Sequence, residues 1–133
     1  MELTPIGTVA SPLTDPEAAP RQGDEGAPEA WIEVLPEVAP ALDGVGRGDE
    51  LLVLTWLDRS RRDVLQVHPR GDPSRPLTGV FATRSPHRPN PLGLHRVTVL
   101  EVAGPRLRVS DLEALDGTPV VDLKPVLGGI AER

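Results

Sequence analysis

Three prolines fall within six residues, at Pro86, Pro89 and Pro91, and they govern what the middle of this chain can become. Each proline fixes its own φ, lacks an amide hydrogen and pushes the residue before it out of helical geometry. Those preceding residues are Ser85, Arg88 and Asn90. Residues 84–91 are therefore predicted as a stiff, extended loop that neither coils into helix nor pairs as a central strand. The loop displays Arg84, His87, Arg88 and Asn90 at low entropic cost. A short apolar strand over residues 79–83 leads in, and Gly93 releases the chain into a second strand over 97–102. A rigid polar loop between two buried strands suits a ligand, although an ordinary surface loop in a proline-rich chain has the same composition.

The same punctuation runs through the whole chain, in which 16 of 133 residues are proline, so long helices are not expected. Residues 6–10 read as a first strand. They enter a Pro/Asp/Glu/Ala/Gly-rich segment, 11–28, with the composition of a mobile loop. Residues 31–35 are a strand by their aromatic and β-branched content, and 36–42 read as one helical turn. The alternate glycines of 43–49 have no leading strand and no following helix, so they are a turn rather than a dinucleotide fingerprint. The most apolar run, 50–57, is expected as a central strand buried on both faces. It ends in the charge cluster 58–63, either a solvated strand end or an anion-binding or RNA-backbone patch. Residues 64–67 and 107–109 read as further strands. Asp116-Gly117 then signals a hairpin leading to a strand at 120–123, and residues 128–133 form a tail. About seven short strands, many turn breakers and almost no helical periodicity give an all-β barrel or sandwich. One domain over 1–133 accounts for the length.

Composition removes several kinds of chemistry. The chain has no cysteine, so disulfides, thiolate nucleophiles and cysteine-bound metals are excluded. No charged leader with an apolar run and no membrane-length apolar stretch is present, so a soluble, cytoplasmic protein with no membrane partner is expected. Twenty acidic residues against 14 basic ones leave a net charge of −6, the opposite of a protein that lives by neutralising phosphates. A local basic face remains open. His68, His87 and His95 show no ligand spacing, so no metal is expected, and no Gly-x-Ser-x-Gly elbow exists. What remains is binding of a small molecule with an anionic group. Arg84 and Arg88 offer planar forks for a carboxylate, while Asp111, Glu113 and Asp116 suit hydroxyls or an ammonium.

The run 79–93, Gly-Val-Phe-Ala-Thr-Arg-Ser-Pro-His-Arg-Pro-Asn-Pro-Leu-Gly, and the run 116–125, Asp-Gly-Thr-Pro-Val-Val-Asp-Leu-Lys-Pro, strongly resemble the TsaA-like (TrmO) family. Pro20-Arg21-Gln22 fits as well, and the match covers residues 6–127. The resemblance implies a closed or nearly closed small β-barrel with long loops, unlike the Rossmann-type methyltransferases. It implies S-adenosyl-L-methionine as cofactor and methylation of the exocyclic nitrogen of threonylcarbamoyl-adenosine beside the anticodon of tRNA. Carried across by position, the cofactor contacts fall on Pro20, Arg21, Gln22, Asp58, Arg59, Arg84 and Leu94, and on Glu113, Ala114, Leu115 and Asp116. A homodimer with the cofactor near the subunit interface is implied too. Contacts to tRNA would rest on Arg61, Arg62, His87, Arg88 and Asn90. Several relatives carry a C-terminal domain for which this chain has no counterpart. Two other readings stay open, a methyltransferase for a small-molecule acceptor and a cofactor-binding module without catalysis. No residue is assigned as a general base.

Overall fold

Inward apolar side chains alternate with outward ones along almost every extended run, and that period of two builds a barrel. The computed structural model describes residues 1–14 and 28–128. Its strands are β1 (Gly7–Ala10), β2 (Ala30–Val34), β3 (Glu50–Trp56), β4 (Gln66–Val67), β5 (Thr78–Gly79), β6 (Leu92–Ala103), β7 (Arg106–Val109) and β8 (Pro119–Pro125). Six of them close into a ring in the order β1-β2-β7-β6-β3-β8, every neighbour antiparallel. The ring shuts where β8 meets β1, with Gly7 opposite Val120 and Thr8 opposite Pro119. A ring of strictly antiparallel neighbours needs an even number of strands, so an odd count such as seven cannot close. The two remaining strands, β4 and β5, pair only with each other as a short ribbon outside the ring.

The interior is filled rather than hollow, as expected for a small barrel. Val9, Ile32, Val53, Val97, Val99, Leu107, Val109 and Val120 are almost entirely buried. Leu112 and Ala114 belong to the same cluster, although they lie between β7 and β8. Residues 110–118 thus dip two apolar side chains into one barrel mouth and cover it from one side.

Several expectations are corrected. β3 is not buried on both faces: Leu51, Val53 and Thr55 point inward, while Leu52, Leu54 and Trp56 stay half-buried on the outside. A barrel strand has one inner face, and its other face is covered only by what packs on it. Residues 79–83 are not a strand; pairing stops at Gly79 and a 3-10 turn follows over Val80–Ala82. The strand at 97–102 begins earlier, at Leu92, immediately after the last proline. Asp116-Gly117 makes a turn, closed by the Thr118 amide on the Leu115 carbonyl at 3.1 Å with Gly117 at φ 83°. It does not make a hairpin, because β7 pairs with β2 and β6 whereas β8 pairs with β1 and β3. The tight hairpin is instead at Gly104-Pro105, between Ala103 and Arg106. The helical turn at Pro36–Leu42 is present as a 3-10 helix.

Antiparallel alternation also sorts the connections. The links β1–β2, β3–β6 and β7–β8 all open at the mouth where β3 ends and β6 begins, because Trp56 lies opposite Leu92. The links β2–β3 and β6–β7 open at the other end. Leu112 has no exposed surface, so Leu112→Ala should destabilise the fold by about 2–5 kcal/mol, as buried leucines do on truncation. Urea denaturation would show it as a lower midpoint with an unchanged slope; an effect below about 0.5 kcal/mol would mean that 110–118 is only draped over the barrel.

Candidate functional site

The three connections at this mouth carry every residue singled out in the sequence as a cofactor or RNA contact, apart from Leu94 on β6. Pro20, Arg21 and Gln22 lie in the β1–β2 link but outside the described residues. The β3–β6 link holds Asp58, Arg59, Arg61, Arg62, Arg84, His87, Arg88 and Asn90, and the β7–β8 link holds Glu113 to Asp116.

The proline loop is laced to the charged segment after β3. The Leu57 amide donates to the Pro91 carbonyl at 2.8 Å and the Arg88 amide to the Arg61 carbonyl at 3.1 Å. In return the Arg61 amide donates to His87 Nδ1 at 3.0 Å. Arg62 donates from Nε to the Pro89 carbonyl at 2.8 Å and from Nη2 to Asn90 Oδ1 at 2.9 Å. Its guanidinium also lies 5.2 Å from the Trp56 ring centroid, a cation–π distance. The prolines explain the pattern: they remove amide donors but leave carbonyls, and those carbonyls need donors from elsewhere. Arginine supplies them.

Arg88 is therefore not the open fork expected from the sequence. Its Nη1 donates to the Thr83 and Ser85 carbonyls at 3.1 and 3.0 Å, staples the entry to its own loop, and leaves the side chain part-buried. Arg61 is paired with Asp63 through two hydrogen bonds of 3.0 and 2.9 Å. Those bonds hold the Asp63 carboxyl below the usual carboxylate range and the Arg61 guanidinium above its own. Arg84 is different. It is exposed and makes no hydrogen bond or ion pair among the described residues.

The β7–β8 link meets the start of the β1–β2 link. The Asp116 amide donates to the Leu13 carbonyl at 2.7 Å, and Asp116 Oδ1 accepts from the Ser11 amide at 3.0 Å. Arg59 Nη1 reaches the Thr14 carbonyl at 3.4 Å. Asp58 is exposed beside it. Asp116 and Arg59 are thus brought together around residues 11–14. Ala114 is buried and Leu115 half-buried. Leu94 stands apart: it points out of the barrel opposite Leu54, while its neighbours Gly93 and His95 point in.

Sequence reasoning missed a group at the centre of the mouth. His95 Nε2 lies 2.7 Å from Thr55 Oγ1 and His95 Nδ1 lies 2.5 Å from Glu113 Oε1. Thr55 has no exposed surface and His95 is 5% exposed. No metal-ligand or hydrolase spacing marks this set. The signal was register: His95 sits two residues after Gly93 on the inward side of an alternating strand. Among the described residues, no three of His, Cys, Asp and Glu gather closely enough to hold a metal ion.

Two clefts lie at the opposite end. One, of about 540 Å³, is lined by residues including Val45, Arg47, Glu101 and Arg108; the other, of about 320 Å³, by residues including Leu42, Val45, Leu123 and Pro125. Arg108 in the first is already bonded to Glu29 and Glu101. Arg47 in the first is exposed and, like Arg84, makes no hydrogen bond or ion pair among the described residues. Neither cleft, however, is lined by any residue singled out in the sequence as a cofactor contact, and the mouth where the other three connections meet is the better candidate.

The sequence profile of the tRNA-methyltransferase O N-terminal domain family matches residues 8–130. The chain belongs to that family. A protein of Methanothermobacter thermautotrophicus described as a probable S-adenosyl-L-methionine-binding protein is 46% identical over 125 residues, covering 94% of this chain and 89% of its own length. One from Archaeoglobus fulgidus with the same description is also 46% identical over 125 residues, covering 94% of this chain but 34% of that protein. The crystal structure of TrmO from Pseudomonas aeruginosa superposes with a TM-score of 0.75 at 30% identity, covering all of this chain and 60% of that one. The chain thus spans about a third of one curated relative and six-tenths of a solved structure.

The lacing makes a prediction about the loop. Arg62→Ala should lower Tm by a few degrees and raise amide exchange and proteolysis selectively within residues 84–91. Arg62→Lys should not restore protection, since one ammonium cannot replace a planar fork spanning Pro89 and Asn90. Unchanged exchange in the Ala variant would show that the prolines alone hold the loop.

Proposed function

We propose that this chain binds S-adenosyl-L-methionine at the mouth formed by the β1–β2, β3–β6 and β7–β8 connections and transfers its methyl group to tRNA. The acceptor in this reading is the exocyclic nitrogen of threonylcarbamoyl-adenosine next to the anticodon. The observation that supports it most is the family match over residues 8–130, together with relatives described as S-adenosyl-L-methionine-binding.

The donor set fits the cofactor. Arg84 is an unpaired cation on a braced loop and suits a carboxylate. Glu113 Oε1 is engaged by His95, while Oε2 has no partner among the described residues. Since no buried side-chain oxygen or nitrogen there is left unpaired, Oε2 remains in contact with solvent, where it can accept from an ammonium or a hydroxyl. In this reading Pro20, Arg21, Gln22, Asp58, Arg59 and Asp116 complete the cofactor's surroundings, and Ala114 and Leu115 pack beside it. S-adenosyl-L-methionine supplies a methyl group already activated by a sulfonium charge, so the reaction needs no metal and no covalent enzyme intermediate. The chain's contribution is then alignment, which in well-oriented intramolecular analogues amounts to about 7–11 kcal/mol. The laced proline loop keeps Arg84 at a fixed place, and the barrel keeps Glu113 at another.

Leu94 fits a different part of the reading, the homodimer. On the outer wall, Leu54 lies opposite Leu94 and Trp56 opposite Leu92, and Leu92 and Leu94 are 42% and 45% exposed. The other side of the barrel is instead covered by ion pairs such as Arg106–Glu33 and Arg108–Glu29. An apolar wall of this kind suits a second copy of the chain. That would put Leu94 of one subunit near the cofactor of its partner. A cytoplasmic location follows from a tRNA substrate; among the described residues no helix is long and apolar enough to cross a membrane.

One observation favours a second reading, a small-molecule acceptor. The net charge is −6, and the loop cations Arg61, Arg62 and Arg88 are already bonded within the protein. These groups keep further N–H donors for phosphate, as do His87 and Asn90 beside them, but fewer than free side chains would.

Calorimetry with S-adenosyl-L-methionine on wild type and Arg84→Ala tests the cofactor site. The variant should bind at least about tenfold more weakly, the scale of one lost charged hydrogen bond, with an unchanged circular dichroism spectrum. Equal affinity in a folded variant would remove Arg84 from the site. Incubation with labelled cofactor and tRNA lacking this methyl group, at stated salt, should label the tRNA; transfer only to small molecules would favour the second reading.

A further inference from the structure

The Thr55–His95–Glu113 set has the connectivity of a nucleophile, a base and an orienting carboxylate, but its burial rules out that use. Thr55 Oγ1 sits inside the barrel on a residue with no exposed surface, so no substrate carbonyl can approach it. The open end of the set is the other one. The His95 side chain is 4% exposed and that of Glu113 14%, and Glu113 Oε2, which has no partner among the described residues, is not sealed from solvent. The set therefore runs from the barrel interior outward and ends on an acceptor oxygen at the mouth.

Register explains how it assembles. On β3 and β6, Thr55 lies directly opposite Gly93, and Val53 opposite His95. The Thr55–His95 bond is thus diagonal, and it crosses the space above Gly93. A Cβ at Gly93 would lie 2.3 Å from Thr55 Oγ1 and 2.8 Å from His95 Nε2, closer than any real contact. The missing side chain lets the imidazole lie down toward Thr55 and turn Nδ1 to the mouth. A threonine hydroxyl both donates and accepts, so it satisfies Nε2 whichever way the ring is protonated. Nδ1–H is then kept for Glu113.

We propose that His95, seated by Thr55 and Gly93, is a positioning residue that clamps Glu113 Oε1 so that Oε2 is held as a fixed acceptor for an ammonium or hydroxyl of the bound cofactor. Glu113 lies in an irregular segment and has three side-chain torsions. Unclamped, it would sample several rotamers, and ordering it on binding would cost affinity. The clamp places that ordering in the fold. Ligand-binding side chains locked by a second layer of hydrogen bonds follow the same logic. The proposal rests on the reading that Glu113 faces the cofactor, and it assigns work to three residues, Thr55, Gly93 and His95, that touch no ligand.

The two ring nitrogens can be tested separately. In His95→Asn the side-chain amide lies near the position of Nδ1 and can still donate to Glu113. In His95→Gln the amide reaches toward the position of Nε2 and Thr55 and leaves Glu113 unclamped. Calorimetry with S-adenosyl-L-methionine should show His95→Gln about tenfold or more weaker than wild type, with His95→Asn recovering most of that loss. Adding Glu113→Gln to His95→Gln should cost little beyond the worse single variant, since both break one linkage. Tm of each variant is measured alongside, because a purely structural role would lower affinity in proportion to stability and equally for Asn and Gln. Equal affinities for the two folded variants would overturn the proposal. A ligand-free readout separates its failure from failure of the functional reading. The Nδ1 proton of His95 should resonate far downfield in the wild-type NMR spectrum and move upfield in Glu113→Gln. If wild type shows no affinity for the cofactor, the functional reading fails; if the downfield proton is absent, the clamp itself fails.

Discussion

Closure of the ring is the constraint on which the other features depend. β8 pairs with β1 on one side and β3 on the other, so the barrel has no open edge and every inward side chain meets another. With every neighbour antiparallel, closure also sorts the chain's connections by end. Three links, β1–β2, β3–β6 and β7–β8, share one mouth, and the other two share the opposite end. A composite ligand site at the first mouth needs no further device to bring distant segments together, since strand direction alone does it.

Within that mouth, two kinds of reinforcement replace regular structure. The proline loop lacks amide donors, and arginine side chains answer its carbonyls, so a segment with almost no secondary structure is still held at many points. The 110–118 segment is held instead by burial, through Leu112 and Ala114, and by Asp116 against the Ser11 and Leu13 backbone. The two are stabilised by different physics, polar lacing in one case and apolar plugging in the other. Each leaves polar atoms unengaged, and among them Arg84 on the first and Glu113 Oε2 on the second have opposite charge. A zwitterionic ligand matches that pair.

The arginines show how a single residue type is divided between structure and function. Arg62 and Arg88 complete the loop, Arg61 pairs with Asp63, and Arg106 lies 4.3 Å from the Trp31 ring centroid while also pairing with Glu33. Five donors on a rigid plane make arginine suited to bracing carbonyls as much as to binding anions. Exposure and motif position do not separate these uses. Hydrogen-bond partners do.

Much of this was legible in the residues. Alternation and turn breakers determined an all-β chain, the prolines determined a stiff loop from Arg84 onward, and two long motifs determined the family. Which six strands enter the ring, the outer face of β3 and the true hairpin were not legible, because they depend on which strands become neighbours, and pairing is a property of the closed ring. Asp116-Gly117 illustrates this: its local turn chemistry was read correctly, but its flanking strands belong to different partners. His95 illustrates it more sharply. By itself it is one histidine among three, with no motif around it. Only the pairing of β3 with β6, which sets Gly93 against Thr55, and the return of residues 110–118 to the mouth place Glu113 at its Nδ1. Local sequence determines backbone preference; which side chains share a bond across the barrel is decided by register, and register exists only once the ring has closed.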